Sequence, residues 1–223
     1  MGNLDVITII IIAANIFVSY KGFNDFGFFE RHKFNIGSIR RGEQFRMLST
    51  GFLHADTAHL FFNMFALYLF SGQVIYEVGQ YSFFIIYIGS LVAGSLLSLY
   101  FHKNEYHYSA VGASGAVTGI LYSAILLNPE REYYFLFLPS RIGNVDLGIP
   151  GYILGIGYLL YSIYGMKKRT GNIGHDAHFG GAIGGFVITL ILSPWLFETN
   201  LLMIGLLTLP IILLFVLKKI GKI

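Results

Sequence analysis

The chain has 223 residues, of which 55 % are hydrophobic and only 12 % are charged. Soluble domains carry about 25 % charged residues, so a mean hydropathy of +0.64 indicates an integral membrane protein. The net charge is +3, and the sequence has no basic cluster interleaved with aromatic residues. The absence of such a cluster argues against nucleic-acid binding. Cysteine is absent, so disulfides, thiolate metal sites and a cysteine nucleophile are excluded.

Seven apolar segments are predicted to form membrane-spanning helices, because about 20 apolar residues are needed to cross the hydrocarbon core. They are residues 4–20, 58–76, 81–101, 113–128, 147–165, 178–197 and 201–217. The first has no cleavage site and is interpreted as a retained helix. The fourth is short for a full crossing, and its helix could begin inside the membrane if the preceding loop dips in and is sheltered by protein.

Two connecting segments are predicted not to span. Segment 21–56 mixes aromatic and basic residues and is expected to lie at the membrane interface. The short apolar run 135–139 ends in Pro139 and is expected to be a loop.

Glycines four residues apart occur on the fourth and sixth predicted spans. Small residues at this spacing let membrane helices approach closely, and packing alone is one explanation for them. A second explanation follows from the position of these glycines, because Ser114 adjoins the first pair and His178 precedes the other two pairs. Contact of the two helices would then bring hydroxyl and imidazole together. The pairs are Gly115 with Gly119, Gly180 with Gly184, and Gly181 with Gly185.

Ser114 lies between Gly112 and Gly115 at the start of a predicted helix. A serine hydroxyl becomes a nucleophile when a neighbouring base takes its proton, and a helix N-terminus favours a developing oxyanion. The alternative is a serine that bonds back to its own helix. His178 is the candidate base. Asp176 would point to another face, so we expect a solvated loop charge there and favour a Ser–His dyad over a triad.

His59 and Asn63 are four residues apart and therefore share one face of the second span. Both can donate hydrogen bonds to a negatively charged oxygen, or they form an interhelical polar clamp. His54 is expected at the water interface. These histidines could also meet His175 and His178 at a metal. However, the chain has no His-Glu-x-x-His motif and no paired intramembrane aspartates, which excludes a zinc protease and an aspartyl protease.

Taken together, these residues resemble the rhomboid family of intramembrane serine proteases. The likeness covers roughly residues 46–197 and rests on His-x-x-x-Asn in the second helix, Gly-x-Ser-Gly opening the fourth and Ala-His-x-Gly-Gly opening the sixth. The resemblance implies that Ser114 is the nucleophile and His178 the general base. It also implies an oxyanion hole formed by His59, Asn63 and the backbone N–H of Ser114.

The same resemblance implies supporting roles for four more residues. Gly112 sits where a tight loop turns into the helix, and Gly115 and Gly181 belong to the glycine motifs. Arg46 matches an arginine with a structural role in the first loop. The family uses no cofactor or metal, cleaves single-pass transmembrane proteins near the surface of the lipid bilayer, and has a water-accessible cavity, capped here by loop 166–177.

Two positions depart from the family pattern. Many rhomboids carry an aromatic residue four positions after the serine, which stacks on the base, whereas this chain has Thr118. Whether Tyr122, one turn further on, compensates is left open by the sequence. Glu77 lies two residues later than the family's glutamate, so its role is not transferred.

The predicted architecture is an all-α, polytopic transmembrane helix bundle. Residues 1–197 form a six-helix rhomboid-like core that includes the first loop, 21–57, and residues 198–223 add a C-terminal helix with a basic tail. The expected function is a serine endopeptidase acting on transmembrane segments. The alternatives are a catalytically inactive rhomboid-like protein that binds transmembrane helices, and a proton-coupled transporter.

The expected location is the cell membrane, and two orientations stay open. The family expectation puts the N-terminus in the cytoplasm. With seven spans, thirteen of the fifteen lysines and arginines then fall on the opposite, non-cytoplasmic face and only Arg131 and Arg141 on the cytoplasmic one. The positive-inside rule would make the crowded face cytoplasmic instead.

Overall fold

The computed structural model describes residues 5–134, 139–168 and 174–223, and helices dominate it. The expected loop at 135–139 and the expected cap at 166–177 lie partly outside the described residues. The predicted all-α membrane bundle is confirmed. Its helices are α1 (Val6–Asn24), α2 (Phe26–His32), α3 (Ile36–Arg40), α4 (Arg46–Ser49), α5 (Thr57–Phe101), α6 (Ser114–Leu127), α7 (Gly151–Lys168), α8 (His175–Leu192), α9 (Leu196–Thr199) and α10 (Leu201–Lys219).

The described strands are two residues long and pair antiparallel. The pairs are β1 (Phe34–Asn35) with β2 (Ser109–Ala110), β3 (Glu132–Tyr133) with β6 (Ile149–Pro150), and β4 (Arg141–Ile142) with β5 (Val145–Asp146). A short 3-10 turn at Thr50–Phe52 precedes α5. The first of these pairs connects the segment before α5 to the segment before α6.

Among the described helices, α1, α5, α8 and α10 are long and apolar enough to cross a membrane. With 45 residues, α5 would reach about 67 Å at 1.5 Å per residue, twice the bilayer core. Its backbone breaks at Gly79, where φ is 80°. His59 from the first leg and Gly94 from the second line one cavity, so α5 folds back into the predicted second and third spans. Helix α7 overlaps the fifth predicted span but is less apolar.

Helix α6 lies at the centre of the bundle. It has 14 residues and so a length of about 21 Å, short of a ~30 Å hydrocarbon core. All of its residues except Ser114 and Leu121 are buried. Protein therefore encloses this short helix, and its start inside the membrane stays a prediction.

Glycines bring α8 into backbone contact with its neighbours. A Cβ added to Gly181 would overlap the carbonyl group of Gly115, and one added to Gly185 would overlap that of Gly119. The predicted close packing of the fourth and sixth spans is confirmed, and substitution would force the two helices apart. The other two glycines of α8 face the second leg of α5: Gly180 and Gly184.

Segment 21–56 forms short helices and a strand around one buried arginine. The Arg46 guanidinium donates to the Glu43 carboxylate at 2.7 Å, to the Glu30 carbonyl at 2.7 Å and to the Lys33 carbonyl at 3.0 Å. These bonds tie α4 to α2 and to the chain before β1. The C-terminal helix α10 packs against α7; the division into a core and an appended helix stays a prediction.

Candidate active site

A cavity of about 900 Å³ opens between α5, α6, α7 and α8. Ser114, His178, His59 and Asn63 all line it. Residues that are widely separated along the chain therefore meet in one space that a ligand can enter. The cavity wall also includes Gly112.

The loop before Ser114 requires glycine at position 112 for two reasons. Gly112 has φ +132°, a backbone conformation that glycine adopts readily and other residues rarely do. A Cβ there would lie 2.8 Å from His59 Cε1 and 3.6 Å from Ser114 Oγ. The His59 ring and the serine hydroxyl therefore lie on the same side of this loop.

Backbone hydrogen bonds hold the serine loop against the chain that precedes α5. The Gly112 N–H donates to the Thr50 carbonyl at 3.1 Å, and the Thr50 hydroxyl donates to the Ala110 carbonyl at 2.9 Å. Ser114 is the first residue of α6. The first N–H groups of a helix have no partner within the helix, so the Ser114 N–H is free to bind an oxygen in the cavity.

His54 also holds the loop that precedes Ser114. The expectation that His54 lies at the water interface is wrong. Its side chain is fully buried. Nε2 accepts from the Ala113 N–H at 3.3 Å, so Nδ1 carries the proton and donates to Ser19 Oγ at 2.9 Å. The Ser19 hydroxyl then donates to the Phe52 carbonyl at 3.0 Å. Burial, with a smaller contribution from His59, lowers the pKa of His54 to about 3, which keeps Nε2 an acceptor at neutral pH.

His59 and Asn63 occupy the first two turns of α5 and share one face, as predicted. The helix is capped by Asp56, whose carboxylate accepts from the His59 N–H at 2.7 Å. The Asn63 amide donates one N–H to the His59 carbonyl at 3.0 Å. Since the described residues offer Asn63 no second side-chain hydrogen bond, its other N–H can serve a ligand in the cavity.

His178 lies in the first turns of α8 and contacts a tyrosine from α7. Its Nδ1 is 3.0 Å from Tyr158 Oη, and the two rings are tilted by 23° with centroids 6.3 Å apart. Tyr158 Oη is in turn 3.1 Å from Thr118 Oγ1. Within the described part of the chain, no hydrogen bond joins the Ser114 hydroxyl to His178.

The expectation of a solvated loop charge at Asp176 is wrong, because this side chain is only 4 % exposed. It accepts from the Tyr108 hydroxyl at 3.3 Å and lies 3.6 Å from His102 Nε2. The described residues show no hydrogen bond between Asp176 and His178, so the carboxylate is engaged by Tyr108 and His102 rather than by the candidate base. Burial lowers the pKa of His102, but Asp176 and Glu105 outweigh it and the net pKa is raised.

Thr118 reaches the base through Tyr158, whereas Tyr122 and Glu77 both lie away from it. The Tyr122 hydroxyl donates to the Gly155 carbonyl, and the ring is buried in the core, so it does not compensate for Thr118. Glu77 lies at the other end of the bundle and accepts from the Asn128 amide at 3.0 Å.

The four histidines near the cavity form two pairs. The His54 and His59 rings are 5.0 Å apart, and the His175 and His178 rings are 6.4 Å apart. Among the described residues, no three side chains of the metal-binding types cluster closely enough to hold an ion.

Comparison with known proteins gives concordant matches. A family model described as the rhomboid domain matches residues 41–195. The chain is 25 % identical to RHOMBOID-like protein 12, mitochondrial, of Arabidopsis thaliana, over 82 % of this chain and 56 % of that protein. It is 32 % identical to rhomboid protease GluP of Bacillus subtilis, over 66 % of this chain and 26 % of that protein.

A third relative is closer in length. The chain is 28 % identical to the putative rhomboid protease YdcA of Bacillus subtilis, over 71 % of each chain. By contrast, the matches span only about half of the Arabidopsis protein and a quarter of GluP. Both mitochondrial and bacterial proteins are among the relatives.

Proposed function

The chain belongs to the rhomboid family, and on this basis we propose that it is an intramembrane serine endopeptidase. The observation that carries the proposal is the single cavity lined by Ser114, His178, His59 and Asn63. A nucleophile, a base and two hydrogen-bond donors are the groups that acyl transfer requires. Their meeting in one cavity of about 900 Å³ supports the reaction more strongly than the motifs do separately.

In the proposed reaction, Ser114 Oγ attacks the carbonyl carbon of a peptide bond while His178 accepts the hydroxyl proton. His178 then returns this proton to the departing amine, and the acyl chain is left as an ester on Ser114. A water molecule hydrolyses the ester with His178 again acting as the base. General-base assistance of this kind contributes about 100- to 10,000-fold to the rate.

The oxyanion of the tetrahedral intermediate is held by His59, Asn63 and the backbone N–H of Ser114. Three features support this role: the free N–H of the Asn63 amide, the approach of the His59 ring to the Gly112 loop, and the position of Ser114 at the start of α6. Loss of one such donor costs about 100- to 1000-fold in rate.

The supporting residues act on the shape of this site. Gly112 admits the His59 ring, Gly115 and Gly181 let α6 and α8 touch, and Arg46 fixes the loop that precedes α5. The substrates are single-pass transmembrane proteins within the lipid bilayer, and no cofactor or metal takes part. The segment at the cut must unwind locally, because helical carbonyls are engaged in their own hydrogen bonds.

A second candidate is a rhomboid-like protein that binds transmembrane helices without cleaving them. One observation favours it: the described structure has no hydrogen bond between Ser114 and His178. Catalytic hydrogen bonds are often long in structures without substrate and shorten when it binds, so this separation is compatible with either function.

The test is cleavage of a fluorescently labelled transmembrane substrate by the detergent-solubilised protein. Wild type should cleave it, whereas Ser114→Ala and His178→Ala should lose at least about 1000-fold in kcat, as removal of either member of a working Ser–His pair does. Exposed residues of the same types provide matched controls, Ser140→Ala and His107→Ala, which should retain full activity. Equal cleavage by wild type and Ser114→Ala would end the protease proposal, and binding without cleavage by wild type would favour the second candidate.

For location, we propose the cell membrane, with the N-terminus in the cytoplasm and loop 166–177 on the other side. The chain has no native cysteine, so single cysteines can report accessibility cleanly. An impermeant thiol reagent applied to intact cells should label Lys168→Cys and spare Arg141→Cys. The reverse pattern would establish the orientation that the positive-inside rule favours.

A further inference from the structure

Three polar side chains from three helices form a chain of hydrogen bonds beside the candidate base. His178 Nδ1 on α8 is 3.0 Å from Tyr158 Oη on α7, and Tyr158 Oη is 3.1 Å from Thr118 Oγ1 on α6. All three residues line the cavity. Simple packing would need only a phenyl ring at position 158, so the paired hydroxyl groups call for a chemical explanation.

When each hydroxyl proton stays within this chain, the protons can be arranged in two ways. In one, His178 Nδ1–H donates to Tyr158 Oη, and the phenol O–H donates to Thr118 Oγ1. In the other, Thr118 donates to the phenol and the phenol donates to Nδ1. The second arrangement places the imidazole proton on Nε2, where it blocks acceptance of a proton from a serine. Only the first leaves the Nε2 lone pair free.

The catalytic cycle selects the first arrangement. A base that takes up a proton at Nε2 carries N–H groups on both ring nitrogens, and Nδ1–H then needs an acceptor. In serine proteases with a triad, a carboxylate supplies that acceptor and fixes the tautomer. Here Asp176 faces Tyr108 and His102 instead, and Tyr158 Oη is the oxygen at hydrogen-bonding distance from Nδ1.

We infer that Tyr158 is the positioning residue of the base, with Thr118 orienting its hydroxyl, and that it fixes His178 as the Nδ1–H tautomer. The inference rests on the proposed protease function and deepens it. The phenol accepts the Nδ1–H hydrogen bond throughout, and no proton leaves Nδ1. Through Tyr158 the orientation of the base depends on α7, whereas in the family pattern it depends on an aromatic ring from the helix that here is α6.

Nuclear magnetic resonance of 15N-histidine-labelled wild type tests the tautomer directly. His178, assigned by loss of its signals in His178→Ala, should show a protonated Nδ1 and an unprotonated Nε2 at neutral pH. In Tyr158→Phe, which keeps the ring and removes the oxygen, both tautomers should appear. A wild-type His178 with its proton on Nε2 would overturn the inference without reference to any variant.

Kinetic constants provide a second test, because a purely structural role of Tyr158 would not lower kcat while leaving KM unchanged. Tyr158→Phe should lower kcat by about 10- to 100-fold, less than the roughly 10,000-fold loss seen when a triad carboxylate is replaced, and leave KM unchanged. Thr118→Val should lower kcat by a smaller factor, and the double variant should lose no more than Tyr158→Phe alone, because the two act in one chain. Tyr164→Phe, an exposed tyrosine of the same helix, should match wild type.

The outcomes separate the inference from the function on which it rests. No cleavage by wild type would remove the proposed function itself. Wild-type kinetics in Tyr158→Phe, or a raised KM with unchanged kcat, would leave the protease in place and show that Tyr158 does not position the base.

Discussion

The two sides of the cavity are held by different kinds of interaction. On the serine side, Gly112 and Ala113 are fixed through backbone N–H groups by Thr50 and His54. On the base side, His178 is held by one phenol from α7. Bonds to the backbone serve the fold and the site at once, whereas a phenol at the tip of a side chain can be removed without disturbing the backbone. Changes on the serine side should therefore reduce activity and stability together, and Tyr158→Phe should reduce activity alone.

The largest expected effect on the serine side comes from Gly112→Ala. The added Cβ would lie 2.8 Å from the His59 ring. Alanine would also have to adopt the positive φ of this position, which is unfavourable for it. We therefore expect the oxyanion donors to move apart. We expect a loss of about 100- to 1000-fold in kcat/KM, as for removal of an oxyanion donor. Gly72→Ala, where the space around the added carbon is open, is the control and should cleave the labelled substrate normally. Normal cleavage by Gly112→Ala would contradict this reading.

Gly181→Ala should weaken the contact between α6 and α8, which carry the serine and the base. Its Cβ would overlap the Gly115 carbonyl, and overpacking of this kind costs about 1–3 kcal/mol. Thermal unfolding in detergent should show a lower midpoint. The matched variant Gly157→Ala has open space and should unfold at or above the wild-type temperature, since alanine favours helix over glycine. Equal midpoints for the two variants would show that the α6–α8 contact is looser than described.

His54→Phe is the change on the serine side that corresponds to Tyr158→Phe, because it also keeps a ring and removes a polar atom. The buried Ala113 N–H would lose its acceptor, and such a group costs about 1–3 kcal/mol. Both the unfolding midpoint and kcat should fall, in contrast to Tyr158→Phe. His107→Phe, at an exposed position, controls for the substitution itself. A His54→Phe protein with wild-type stability would remove the distinction between the two sides.

The smallest expected effect concerns His102, which holds Asp176 in the first turn of α8. Its pKa is raised above the ordinary value of 6.5, so the folded state favours the protonated form. This stabilisation is complete below pH 6.5 and is lost as the pH rises through the higher, folded-state value. We expect the stability advantage of wild type over His102→Gln to shrink across that range, by about 1 kcal/mol or less. A difference that does not vary with pH would contradict this assignment.

Sequence patterns were sufficient to predict the features that repeat along a helix. Glycine spacing predicted the close approach of α6 and α8, and the four-residue interval placed His59 and Asn63 on one face. Both predictions depend only on helical periodicity. Apolar length likewise predicted the bundle, including the break in α5.

The predictions that are wrong concern single polar side chains whose partners are distant in sequence. Asp176 meets Tyr108 across 68 residues, and His54 meets Ala113 across 59. A charged or polar residue looks the same in the sequence whether it is solvated or buried against a partner, so both were expected in water. Tyr158 was missed for the same reason, since an aromatic residue on an apolar helix carries no sign of what its hydroxyl contacts.

Activation of Ser114 by His178 is tested most directly by covalent labelling with a fluorophosphonate followed by peptide mass spectrometry. The probe should modify Ser114 in wild type, react more slowly with Tyr158→Phe, and leave His178→Ala unmodified. Failure to label Ser114, or equal labelling in wild type and His178→Ala, would show that His178 does not activate this serine.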